Sequence, residues 1–408
     1  MGLDIPPMGD TRINPWKRFP AKPEDWFSAE EISKAKRYTK PLARLSLAER
    51  LVGGAALVTV IWTHAVPRLL GRWGVDNWVL RLLVAMVIVQ VVEVVVTTPF
   101  AAYHELVYDK RWEFSTQTTK GFVADLAKNL LVGVLVSTAL LLPLWWLIRT
   151  TDLWWVWGWV VMGVFVVGLG LLGPVLIMPL FNKFTPLDDE VLRDDLLGVA
   201  RQADADVTVI EVSDASRRTR KDNAFVTGLG KTRKLVLFDT ILARPPEQIR
   251  AVAAHEIGHW KLKHVRRLIP VIAGLLLVNF AVLRLVLGWD AALRWAGVHS
   301  LRNPAALPLF LLVFPVGSAL TGLLSAWVTR AGEREADIFG LEVTKDAAAA
   351  SAMLRSLHTD NLADLAPSWW KRANASHPHA AERLAMAAAW AGRSGSASDE
   401  ATADDRSR

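Results

Sequence analysis

The chain has 408 residues, of which 52% are hydrophobic, and a formal net charge of +7. This apolar content exceeds what a soluble chain of this length needs, and its 19 Trp are typical of a protein at the membrane–water interface. The chain has no Cys, which excludes disulfides and thiolate metal ligands. The excess Lys and Arg lie beside apolar runs, where they set membrane topology, so nucleic acid is not expected as a partner.

Six apolar segments follow a polar, basic N-terminal stretch that carries no signal-peptide pattern. A membrane helix needs about 20 residues, so the first segment is the weakest candidate. Six spans would place both termini on one side, and the basic stretches at 217–221, 231–234 and 265–267 predict that this side is cytoplasmic. The predicted spans are Leu51–Pro67, Trp78–Tyr103, Leu130–Ile148, Leu153–Phe181, Leu268–Gly288 and Leu307–Trp327.

The second predicted span contains Arg81 and Glu93, two charges that are costly in lipid. Two interpretations stay open. Either both side chains pair or reach the interface, or this face of the helix lines a water-filled cavity.

A polar insert lies between the fourth and fifth predicted spans. It reads as a helix, a strand at 207–212, an extended stretch NAFVTG at 223–228, a strand at 234–238, and a helix opened by Pro245-Pro246. The fold class is therefore a mainly α-helical, polytopic membrane protein with a small α+β insert. The predicted divisions are a cytoplasmic N-terminal segment (1–50), spans one to four (51–181), the catalytic insert (182–266), a transmembrane hairpin (267–332), a C-terminal helical part completing the metal site (333–392), and a disordered tail (393–408).

The helix that closes the insert contains the sequence HEIGH. His255 and His259 share one helix face, the geometry with which two imidazoles bind one Zn²⁺. Glu256 flanks that face and is predicted to activate a zinc-bound water as a general base, then to protonate the leaving amine. The alternative, a helix with two solvated histidines, is disfavoured because the residues around the motif are apolar.

A catalytic zinc takes three protein ligands, and the acidic cluster GEREAD follows the sixth predicted span. Glu333 is predicted to be the third ligand of one zinc per chain. Asp337 shares its helix face and is predicted to accept the free N–H of a ligand histidine, whereas Glu335 points roughly opposite. An exposed acidic turn is the alternative. His264 is interpreted as a structural charge at a helix C-terminus, and His379 as a surface histidine.

Several segments together resemble the type 1 CAAX prenyl endopeptidase family of integral-membrane zinc proteases. The resemblance covers about residues 28–390 and implies spans around a water-filled chamber within the membrane, a zinc site facing that chamber, and peptide or protein substrates, which are prenylated in eukaryotic relatives. The family's usual count is seven spans, and 1–27 contains none, which leaves the closure of the chamber and the substrate open. The segments are HEIGHWKLKH, GEREADIFG, SHPHAAERL, PFAAYHELVYDKRWEFSTQT, IMPLFNKFTPLDDEVL and DNAFVTGLGKTRKLVLFDTIL.

The resemblance also implies substrate-binding and transition-state residues. Asn223 and Ala224 would lie on a strand edge to which an extended substrate adds, with the Asn223 amide reaching the substrate backbone. Pro378 is expected to keep His377 outside a helix that starts at Pro378. His377 is predicted to be the oxyanion donor beside the zinc, with Arg383 as its partner or as a second donor.

The predicted function is a zinc-dependent membrane endopeptidase. A shorter heat-shock-type membrane protease is an alternative, but such proteases lack so many spans and the SHPH-to-Arg arrangement. A catalytically silent membrane scaffold would not need Glu256. A transporter is disfavoured because the metal-binding helix lies outside the spans.

Overall fold

The computed structural model describes residues 13–228 and 233–405, with backbone alone at 320 and from 394 onward. The basic stretch 231–234 therefore lies partly outside the described residues. Most of the described chain is helical. The helices are α1 Ala29–Trp62, α2 Ala65–Arg72, α3 Trp78–Tyr103, α4 Asp109–Arg111, α5 Thr119–Thr150, α6 Trp154–Leu176, α7 Met178–Phe181, α8 Glu190–Gln202, α9 Pro246–Lys261, α10 His264–Leu287, α11 Asp290–Trp295, α12 Leu307–Thr344, α13 Ala347–Asp360, α14 Trp369–Asn374 and α15 Ala380–Asp405.

The described residues contain five helices that are long and apolar enough to cross a membrane. A sixth candidate appears if the bent pair Pro304–Ala319 and Thr321–Thr344 forms one span. The prediction of a mainly helical, polytopic fold with about six spans is thus confirmed. The five are Ala29–Trp62, Trp78–Arg111, Thr119–Thr150, Trp154–Phe181 and His264–Leu287.

Helix α1 begins far upstream of the first predicted span. Ser28 and Glu31 form a capping box, in which Glu31 Oε2 accepts from Ser28 N at 2.7 Å and Ser28 Oγ accepts from Glu31 N at 3.2 Å. His64 adopts a left-handed backbone with φ of 49° just after the helix ends. The predicted span Leu51–Pro67 is therefore corrected: one helix joins the polar, basic stretch to the apolar one and stops before Pro67.

The described residues form two compact units. The membrane unit comprises Pro41–Phe181 and Ile269–Leu323. Its core contains side chains with almost no exposed surface, among them Trp145 and Phe280. Arg81 Nη1 donates to the Val75 carbonyl at 2.8 Å, so this guanidinium has a backbone acceptor within the unit.

The second unit, called here the catalytic unit, comprises the described parts of 1–40, 182–268 and 324–408. It contains a sheet in the order β1-β2-β4-β3, in which β2 and β4 are parallel and the other pairs antiparallel. The predicted strand at 234–238 is confirmed as β4, and β3 forms one edge of the sheet. The strands are β1 Phe184–Pro186, β2 Val209–Ser213, β3 Ala224–Thr227 and β4 Lys234–Phe238.

Helices α8 and α9 and the sheet share one apolar core in the catalytic unit. Leu196 of α8, Leu235 of β4 and Ile257 of α9 are all fully buried. Burying each such side chain contributes about 1.5–3 kcal/mol. This core fixes the helix that carries HEIGH against a rigid sheet.

Helix α15 starts two residues later than predicted. Its first turn is closed by the His379 carbonyl, which accepts from Glu382 N and Arg383 N, so Pro378 lies outside the helix. His379 is 9% exposed, which corrects its interpretation as a surface residue. The helix continues to Asp405 and so includes most of the tail 393–408 that the sequence predicts to be disordered.

The most restrictive contact in the catalytic unit is the close approach of α9 to α12. A Cβ on Gly258 would lie 3.0 Å from Phe339 Cδ1 and 3.4 Å from Ala336 Cα. A Cβ on Gly340, on the opposite helix, would lie 3.4 Å from His255 N. Each glycine therefore lets a helix backbone lie directly against its neighbour.

We expect Gly258→Val to destabilise the catalytic unit by about 1–3 kcal/mol, because the added methyl groups have no space beside Phe339. Thermal unfolding in detergent should show a Tm lowered by about 2–10 °C. The matched control is Gly198→Ala on α8, where a Cβ meets only the end of Arg201 at 3.8 Å. A wild-type Tm in Gly258→Val would contradict the tight packing.

Candidate metal centre

Three side chains from α9 and α12 converge on one point. One ligand atom from each of His255, His259 and Glu333 lies within 4.8 Å of the others. The two Nε2 atoms are 3.2 Å apart, and each faces a Glu333 oxygen, at 3.5 Å from His255 and 3.3 Å from His259. The helical repeat aligns the two imidazoles, and the packing of α9 on α12 brings the carboxylate to them.

The electrostatics of this point suit a bound cation. Glu333 Oε2 is buried and has no hydrogen-bond partner among the described residues. A buried carboxylate oxygen without a partner is costly, and a cation held between it and the two imidazole nitrogens would remove that cost. Imidazole nitrogen and carboxylate oxygen are the donors found at catalytic zinc sites that lack Cys.

Asp337 and Arg383 lie behind His255. Asp337 Oδ1 is 2.9 Å from His255 Nδ1, as the sequence predicts. Arg383 Nε donates to Asp337 Oδ2 at 2.8 Å, and its Nη2 contacts Oδ1. Arg383 therefore pairs with Asp337, whereas the sequence pairs it with His377. Although burial opposes it, the neighbouring carboxylates of Asp337 and Glu333 raise the pKa of His255 to about 10, so protons compete with a cation for this site.

His264 lies behind the other histidine, which corrects its interpretation as a charge at a helix terminus. Helix α9 ends before Lys263, whose left-handed φ of 58° turns the chain back. His264 Nδ1 then lies 2.9 Å from His259 Nδ1, and its Nε2 lies 3.0 Å from Glu335 Oε2. Arg267 donates to the same oxygen at 2.6 Å. This series of contacts was not predicted from the sequence, because the left-handed residue is Lys263 and not Gly or Asn.

Glu256 and His377 border a cavity of about 230 Å³ beside the three converging side chains. Burial raises the pKa of Glu256. His377 Nε2 is 3.3 Å from Glu333 Oε1, and its Nδ1 is 2.7 Å from Ser376 Oγ. Burial lowers the pKa of His377, which favours the neutral imidazole.

The same cavity is bordered by His358, a residue that the sequence does not single out. His358 Nδ1 lies 2.6 Å from the Leu354 carbonyl, four residues earlier in α13. Burial, followed by the charge of Arg383, lowers the pKa of His358 to about 4. His358 therefore adds a neutral imidazole to a wall that is otherwise mostly apolar.

Asn223 and Ala224 stand where β3 begins and line the cavity together with His255 and Glu256. The Asn223 side chain turns to its own neighbour, and its Oδ1 accepts from Ala224 N at 2.9 Å. Because β3 pairs with β4 on one side only, its other edge has no strand partner among the described residues. The predicted strand edge therefore lies beside the three converging side chains.

Both halves of the chain match known protein families. Residues 12–183 match the family described as CAAX prenyl protease N-terminal, five membrane helices, and residues 186–391 match peptidase family M48. The chain belongs to peptidase family M48. Over the first of these ranges, the part of this M48 chain that the structure describes has four candidate spans.

The relatives of this M48 protein include bacterial and eukaryotic proteases. The uncharacterised metalloprotease YhfN of Bacillus subtilis is 31% identical over 67% of this chain and 65% of its own length. The CAAX prenyl protease 1 homolog of Oryza sativa is 25% identical over 88% of this chain and 87% of its own length. A crystal structure of S. mikatae Ste24p covers 91% of this chain and 92% of its own with a TM-score of 0.80; at 23% identity, it shows the fold.

These matches confirm the family that the sequence motifs indicate. The M48 chain is a multi-pass membrane metalloendopeptidase, and its substrate is a peptide or protein. The converging donors of His255, His259 and Glu333 are the place where a metal ion fits.

We expect His264→Ala to weaken metal binding about 10- to 100-fold, because His259 then loses the group that orients its ring. Chelator competition on the purified protein measures this affinity without relying on turnover. His299→Ala removes an exposed imidazole from the membrane unit and serves as the control. Equal affinity in both variants would show that His264 does not position the ligand.

Proposed function

We propose that the chain is a zinc endopeptidase with one Zn²⁺ held by His255, His259 and Glu333. The observation that carries this proposal is the buried Glu333 carboxylate, whose two oxygens face the two imidazole nitrogens and whose Oε2 has no hydrogen-bond partner among the described residues. Three protein ligands leave one position open for chemistry, as in catalytic zinc sites. When bound, zinc supplies Lewis acidity, which lowers the pKa of water and polarises a carbonyl.

Glu256 is the proposed general base. It follows His255 on α9, borders the cavity, and has no hydrogen-bond partner among the described residues. Because burial raises its pKa, its carboxylate accepts a proton more readily than an exposed glutamate does. Glu256 takes the proton of the attacking water and returns it to the leaving amine.

His377 is the proposed donor to the carbonyl oxygen, on which negative charge grows during attack. A Ser376 hydroxyl that donates to Nδ1 leaves the ring proton on Nε2, the nitrogen nearest Glu333. The neutral imidazole can then donate from Nε2 to the substrate. Arg383 acts one step further out, because it holds Asp337 and through it the orientation of His255.

The substrate is proposed to bind as an extended strand along the free edge of β3. Its backbone would pair with the edge at Ala224, and the Asn223 amide nitrogen, which the contact to Ala224 N leaves available, would donate to a substrate carbonyl. Several relatives are CAAX prenyl protease 1 homologs, which supports a lipidated protein as one candidate substrate. We also propose that the membrane spans enclose the reaction space, and that the catalytic insert and both termini are cytoplasmic.

We expect Glu256→Gln to retain zinc and fold but to lose turnover by 10²–10⁴-fold, because an amide cannot accept the proton of water. Cleavage of a fluorogenic peptide, with metal content measured on the same sample, tests this. Glu247→Gln, on the first turn of the same helix, is the matched control. Near-normal cleavage by the zinc-loaded Glu256→Gln variant would sink the proposed mechanism.

We expect His377→Ala to lower kcat by about 10²–10³-fold while metal affinity stays at the wild-type level. Steady-state kinetics and chelator competition separate the two effects. Loss of zinc in this variant would make His377 a ligand, and an increase in KM alone would make it a substrate-binding residue. Either result contradicts the assigned role.

A further inference from the structure

Two identical tripeptides, Trp-Lys-Arg, occur at 16–18 and at 370–372, and the proposed proteolytic mechanism uses neither. The first lies before α1 and the second in α14. A third set, Trp327 and Arg330, lies at the end of the last apolar segment of the sequence. All three sets belong to the catalytic unit.

Residues of all three sets, together with Trp369 directly before the second tripeptide, surround one cavity of about 250 Å³. Trp16 and Trp327 contact each other with ring centroids 5.2 Å apart. Their indoles remain open to the surroundings, with 45% and 44% of their surface exposed, and Trp369 is 68% exposed. We call the set the Trp-Arg patch; its members are Trp16, Arg18, Trp327, Arg330, Trp369 and Arg372.

The positive charge of the patch is not balanced. Glu382 is the one carboxylate among the described residues that line the cavity, and it pairs with the buried Arg334 at 2.8 Å. Arg18 approaches the same carboxylate only to 4.0 Å. Arg330 donates to the backbone carbonyls of residues 373 and 375. Arg18, Arg330 and Arg372 therefore leave a net positive cavity.

Such a cavity matches the chemistry of a lipid headgroup. Indoles prefer the boundary between hydrocarbon and water, and basic pockets at that boundary bind anionic headgroups. Guanidinium groups fit phosphate oxygens through paired N–H donors. The position of Trp327 and Arg330 at the end of an apolar segment places the patch where headgroups are concentrated. We propose that the Trp-Arg patch binds the phosphate of an anionic phospholipid.

The test is lipid binding to the full-length protein in detergent, measured by native mass spectrometry. The probes are dioleoylphosphatidylglycerol, dioleoylphosphatidylcholine and inorganic phosphate. We expect the anionic lipid to bind more tightly than the zwitterionic one. Each basic residue near a membrane surface changes affinity about fivefold, so the double variant Arg18→Gln, Arg372→Gln should lose about 30-fold.

The matched control removes the same charge from helix α8 with Arg193→Gln, Arg201→Gln and should retain wild-type lipid affinity. If the double variant of the patch misfolds, Arg372→Gln alone replaces it, with an expected loss of about fivefold. The readout requires no proteolysis, so its result is independent of the proposed enzyme mechanism.

Four results would overturn the proposal. Equal binding of the two lipids, or full retention by the patch variants, would show that no anionic headgroup site exists there. Displacement of the anionic lipid by millimolar inorganic phosphate would identify a free-anion site. The patch variants could instead bind lipid as the wild type does but show an increased KM for a peptide with a free C-terminal carboxylate and an unchanged KM for its amide. That result would assign the patch to substrate binding.

Discussion

The contact between α9 and α12 is the constraint on which the metal centre depends. Gly258 lies against Phe339 and the backbone of Ala336, and Gly340 lies against the backbone of His255, so the two helices approach closely. The close approach lets Glu333 on α12 reach between His255 and His259 on α9. A larger residue at either glycine would separate the helices and pull Glu333 away from both imidazoles.

The two histidines of the centre are supported by different groups. Behind His255 stands a carboxylate, Asp337, which is held by Arg383. Behind His259 stands another imidazole, His264, which is held by Glu335. In both cases a carboxylate and an arginine end the chain of contacts, so the buried charges are compensated locally. The supports combine residues of α10, α12 and α15, which makes the centre sensitive to the folding of the whole catalytic unit.

The arginines around the Trp-Arg patch of the catalytic unit make two kinds of contact. The arginines near α15 hold backbone carbonyls and a buried glutamate, and through them the segment that carries His377. The other two arginines of the Trp-Arg patch, Arg18 and Arg372, line its cavity beside exposed indoles. Arginines of both kinds thus line one cavity, and only their contacts distinguish them.

The sequence alone determined what depends on local pattern. The spacing in HEIGH aligned His255 and His259, long apolar runs indicated the membrane helices, and the short apolar run KLVLF located β4. The tertiary structure alone decided the partners of Arg383 and the position of His264. Arg383 pairs with a residue far away in the chain, and no local periodicity encodes that choice between acids. His264 depends on a left-handed turn at Lys263, a conformation that sequence signals only through Gly or Asn, because other side chains adopt it at a cost that tertiary contacts must offset.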